Sequence, residues 1–151
     1  MVSPASGGEL RNRMDMRGTL IALLVAAAPA VAQTDDAARA YTIETTPKLT
    51  LKKGEKGEAK VTVVPRSDAH VSPDAPISMT LTGGSAVELP KQKLGRADAK
   101  ETAKKGVEFR IPVVAKAGGA DEVKGQLSFF ICTEKLCERQ KRDVSVPVKV
   151  E

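Results

Sequence analysis

An all-β fold follows from three features of this sequence. Apolar residues recur at every second position in several short runs, glycines and prolines punctuate those runs, and no long stretch carries the repeat of an amphipathic helix. Side chains on a strand alternate between its faces, so a period of two marks strands with one buried side. About seven or eight short antiparallel strands with regular turns predict a two-sheet β-sandwich of immunoglobulin-like type. Closing the same strands into a barrel would leave the same alternation.

Residues 1–32 stand outside that fold. Arg11, Arg13 and Arg17 precede a short apolar run over residues 20–28, and Ala30-Val31-Ala32 supplies small side chains in the pattern a signal peptidase cleaves. The run is too short to cross a bilayer. A secretory signal peptide cleaved after Ala32 is expected, with Met14 or Met16 as the alternative start. No cysteine lies near the cleavage point, which argues against a lipid anchor. The protein is therefore expected in the periplasm or secreted, with no integral membrane segment after cleavage.

The remainder, residues 33–151, suits one domain with one core. Its first part, 33–39, is polar and alanine-rich and reads as a mobile leader, so the folded domain is expected over 40–151. The chain carries 24 Lys and Arg against 19 Asp and Glu, with the lysines spread along its length. Scattered charge of this kind confers solubility, and without a basic tract no nucleic-acid partner is expected.

Along the domain, Tyr41-Thr42-Ile43 and residues 48–51 read as short strands around a Thr-Thr-Pro turn. A charged turn with two glycines follows over 52–57. Residues 58–64 alternate through Ala59, Val61 and Val63, and Pro65 ends the run because proline cannot donate to a ladder. Residues 66–76, RSDAHVSPDAP, form an irregular segment holding the only histidine, His70. Alternation resumes through Ile77, Met79 and Leu81, and Gly83-Gly84 marks a turn. A short strand over 87–89 ends at Pro90. Residues 91–105 read as an exposed connection with room for one helical turn. Val107, Phe109 and Ile111 alternate before Pro112 leads into Val113-Val114, and residues 117–120 make a small-residue turn. Two further runs, 123–131 and 144–150, complete the pattern.

Between those last two runs lie both cysteines, Cys132 and Cys137, separated by four residues. Neighbouring strands ending near Ile131 and starting near Val144 would hold them at the mouth of their connection. A loop this tight can bring the two Cα atoms within disulfide range. Closing about six residues stabilises a fold by only ~2 kcal/mol, against nearly 5 for a loop of about 100. A short-range bond is thus a poor staple, and suits either reversible exchange or the shaping of a local loop. Lys135, Arg139, Lys141 and Arg142 outnumber Glu134, Glu138 and Asp143 nearby, a balance that favours a thiolate where the side chains face it.

The run SFFICTEKLCERQ, with HVSPDAPISMTLT far upstream, resembles the periplasmic N-terminal domain of the thiol:disulfide interchange protein DsbD family. The resemblance extends over roughly residues 70–150. It implies an immunoglobulin-like fold with a redox pair on a C-terminal hairpin, which passes reducing equivalents between a membrane-embedded partner and periplasmic thiol proteins. Cys132 and Cys137 would then be the disulfide-bonded, exchanging pair, one attacking and the other resolving the mixed disulfide. It also implies a cap loop beside the pair, for which residues 66–76 are the nearest candidate, although they hold no aromatic side chain. The expected partner is a thioredoxin-like or membrane-embedded redox protein, and any oxidoreductase activity needs such a donor. The alternative reading is a non-catalytic binding or scaffold domain whose disulfide only shapes the loop.

Other residues point to less. His70 with Met79 and the cysteines lacks any metal-ligand spacing, so neither a metal nor a cofactor is expected. An edge strand over 144–150 could recruit a partner by strand addition, but Pro147, Lys149 and Glu151 would blunt it.

Overall fold

The structure, a computed structural model, describes residues 35–151; the expected signal peptide and residues 33–34 lie outside them. A short helix, α1 (Asp35–Arg39), is followed by β1 (Tyr41–Thr45), β2 (Leu49–Leu51), β3 (Lys56–Pro65), β4 (His70–Val71), β5 (Ser78–Thr82), β6 (Val87–Glu88) and β7 (Lys93–Leu94). A 3-10 turn at Arg96–Asp98 leads into β8 (Ala99–Glu101), β9 (Val107–Ala115), β10 (Gly119–Cys132) and β11 (Cys137–Val150). Two sheets result. One runs β1-β3-β9-β6 with β8 also on β9, and the other runs β2-β11-β10-β5-β7 with β4 also on β10. This is the immunoglobulin-like β-sandwich that the alternation predicts.

The alternation becomes the core directly. Val61 and Val63 of β3, Phe109, Ile111 and Val113 of β9, and Leu127, Phe129 and Ile131 of β10 are all buried between the sheets. Each buried large apolar side chain stabilises the fold by roughly 1.5–3 kcal/mol, so this interface supplies most of the favourable term. Pro65 does end β3, and Pro112 is tolerated inside β9 because it lies between the stretches paired with β8 and β6.

Several expectations need correction. Residues 35–39 are helical, with Ala37 buried and the Arg66 guanidinium reaching Asp36 at 3.5 Å, where a loose leader was expected. The exposed connection over 91–105 contributes two strands and buries Leu94, because its few apolar side chains cover sheet edges. The strands are not all short or all antiparallel: β10 and β11 have 14 residues each, and β2 runs parallel to β11. Most consequential for the site, β11 begins at Cys137 instead of Val144.

Candidate functional site

That earlier start converts the cysteine region into the tip of a long hairpin. β10 and β11 pair without interruption from Gly119↔Val150 to Cys132↔Cys137, so the cysteines form its last rung. They are disulfide-bonded, with Cα atoms 4.0 Å apart. A four-residue loop closes the tip, where the Thr133 N–H donates to the Leu136 carbonyl at 2.8 Å. The charged run between Cys137 and Val144 is strand because its residues alternate sides. Arg139, Lys141 and Asp143 face outward and exposed, whereas Glu138, Gln140 and Arg142 turn inward and are at least partly covered.

A polar cluster on the inner face anchors this part of the hairpin. The Tyr41 hydroxyl donates to Gln140 Oε1 at 3.1 Å, and its ring meets Phe129 edge-on with centroids 4.9 Å apart. The Arg142 guanidinium lies 5.5 Å from the centre of the same ring. Burial pushes the Tyr41 phenol above its ordinary pKa, with the Arg142 charge opposing that shift. Tyr41 belongs to the opposite sheet, so the cluster ties the tip half of the hairpin to the body of the sandwich. On the outer face, Arg139 Nε donates to Ser128 Oγ at 3.0 Å and braces the rungs beside the disulfide.

The two sulfur-bearing residues differ in exposure. Cys132 is 3% exposed, whereas Cys137 is exposed and follows Leu136, a large hydrophobic side chain left 40% exposed. Phe129 is core, and Phe130, two residues before Cys132 on the same face of β10, is half-buried. Lys135 lies two residues before Cys137 and Arg139 two residues after it, so cations flank the exposed cysteine along the chain.

On the other flank of β10, β4 reaches the pair. Val71 opposes Ile131 and His70 opposes Cys132, while the Ser72 N–H donates to the Phe130 carbonyl at 3.0 Å. The 66–76 segment therefore does lie beside the disulfide. Arg96 pins it there by donating to the carbonyls of Ser72 at 2.8 Å and Ala75 at 2.6 Å. His70 lines an open cleft of about 340 Å³ together with Arg96, Glu101, Lys105 and Gly106. No local pattern in the sequence marks His70, and only the nonlocal β4–β10 pairing brings it to the cysteines. Met79 pairs with Leu127 in the core and takes no part. Among the described residues no group of three or more His, Cys, Asp or Glu side chains could hold a metal ion, and no helix is long and apolar enough to cross a membrane.

No protein-family model matches the chain, and no curated protein matches it. Similar solved structures include AggA, the major subunit of aggregative adherence fimbriae type I from Escherichia coli. It is 14% identical over 74% of this chain and 94% of that one, with a TM-score of 0.40. Murine CRIg is 10% identical over 74% of this chain and 98% of that one, at a TM-score of 0.41. Native alpha-2-macroglobulin from Escherichia coli is 14% identical over 73% of this chain but only 16% of that one, at a TM-score of 0.46. Likenesses this weak assign neither a family nor an activity.

Proposed function

We propose that this is an exported thiol–disulfide exchange domain of the kind the DsbD-family resemblance implies, working through Cys137 and Cys132. The observation that carries this reading is the asymmetry of the pair, one cysteine exposed at a hairpin tip and the other buried behind it. Exchange needs a sulfur that an incoming thiolate can reach. A partner thiolate attacks Cys137 Sγ, forming a mixed disulfide while the Cys137–Cys132 bond breaks and its electron pair passes to Cys132 Sγ. A second thiolate of the partner then attacks the partner's own sulfur and expels Cys137. The partner dithiol is oxidised to a disulfide and this pair is reduced. Lys135 and Arg139, which flank Cys137 in the chain, supply positive charge that favours a Cys137 thiolate. The signal-peptide pattern of residues 1–32 supports export, where such a pair can be oxidised.

The experiment is trapping. Reduced Cys132→Ser protein, mixed with an oxidised thioredoxin-like protein, should accumulate a mixed disulfide through Cys137, and Cys137→Ser should accumulate far less. Equal trapping by both variants, or none by either, would remove the assignment. A loop-shaping clip is the competing reading, and the burial of Cys132 is the observation in its favour.

A further inference from the structure

Breaking the disulfide from the Cys137 side leaves charge on Cys132, the buried member of the pair. A thiolate without water around it is costly, so the site needs a group that can supply a proton or a positive charge there. The nearby arginines keep their charge but cannot give up a proton, and they donate to other groups, Arg139 to Ser128 and Arg96 to the Ser72 and Ala75 carbonyls. His70 is the residue opposite Cys132 in the β4–β10 register. Directly opposed residues of an antiparallel pair project to the same face, with Cβ atoms about 4.5–5.5 Å apart. That register sets the His70 and Cys132 side chains on one face of the sheet as a cross-strand pair.

We propose that His70 is the acid–base partner of Cys132, an assignment that rests on exchange occurring at this pair. When Cys137 is attacked and the electron pair reaches Cys132, the imidazolium gives its proton to the thiolate and becomes neutral. The open cleft that His70 lines lets solvent restore that proton. In the reverse direction the neutral imidazole takes the proton from the Cys132 thiol. The resulting thiolate attacks Cys137 Sγ of a mixed disulfide, re-forming the Cys132–Cys137 bond and expelling the partner as a thiolate. Histidine suits both directions because it changes charge between about pH 5 and 8. The charged groups of its own segment are Arg66, Asp68 and Asp74, with Arg66 paired to Asp68 at 3.0 Å, and Arg96, Glu101 and Lys105 line the cleft. The hairpin tip adds Glu134 and Lys135, and the start of β11 adds Glu138 and Arg139.

The test uses reduced Cys137→Ser protein, in which Cys132 is the remaining thiol. Its thiolate is followed by ultraviolet absorbance against pH, with and without His70→Gln. The expected result is about tenfold less thiolate at neutral pH in the His70→Gln protein, the effect of raising the thiol pKa by about one unit. An unchanged titration would overturn the proposal. Should His70→Gln fail to fold, nuclear magnetic resonance of the His70 ring in the reduced Cys137→Ser protein decides. A ring titration altered by adding Cys132→Ala supports the pairing, and one unaltered refutes it. Failed trapping with an intact His70-dependent titration would instead remove the exchange function.

Discussion

Reducing the Cys132–Cys137 bond should weaken this domain without unfolding it. The bond closes a loop of about six residues, so the chain-entropy model assigns it ~2 kcal/mol. The hairpin does not depend on the bond for its register, because β10 and β11 pair along their full length and the inner-face contacts of Tyr41 with Phe129 and Gln140 persist. The freed Cys132 thiol stays buried as a small apolar side chain. For a domain of this size ~2 kcal/mol corresponds to a drop in Tm of roughly 8 °C. Calorimetric melts of the oxidised and reduced protein measure it. A reduced protein that is unfolded at room temperature would refute the reasoning and make the bond a staple.

Three other outcomes follow from single residues. Tyr41→Phe should cost about 1–2 kcal/mol, because Gln140 Oε1 loses its donor in a buried site. It should also remove an alkaline sensitivity. Burial raises the Tyr41 pKa above 10.0, so the folded state keeps a proton that the unfolded state releases. That contribution is full below the ordinary tyrosine pKa and is lost as pH rises through the raised folded value, which denaturant melts at alkaline pH would record. Gly106→Ala should destabilise by several kcal/mol, since a Cβ there would collide with the Val63 carbonyl oxygen; a protein as stable as the parent in urea would contradict that close approach. Leu136→Asp should change stability by less than about 0.5 kcal/mol yet slow exchange with a thioredoxin-like protein several-fold, measured by stopped-flow.

The strands that bury valine, leucine and phenylalanine were legible because their alternation is the core. The start of β11 was not. Its inward positions are Glu138, Gln140 and Arg142, covered by the Tyr41 side of the sandwich, so no apolar period marks them. β7 and β8 were hidden for a related reason: two or three mostly polar residues on a sheet edge carry no periodic signal. The cysteine pair was legible from its spacing, and its asymmetry of exposure was not. His70 became part of the site only through pairing across about sixty residues of chain, a separation at which local pattern is silent.

The central claim, that this disulfide exchanges, is tested most directly by its reduction potential in defined thiol buffers. Exchange predicts a potential in the range of thioredoxin-like proteins, roughly −270 to −120 mV. A value below about −300 mV, with no exchange against a thioredoxin-like protein, would contradict it and leave Cys132–Cys137 a structural clip.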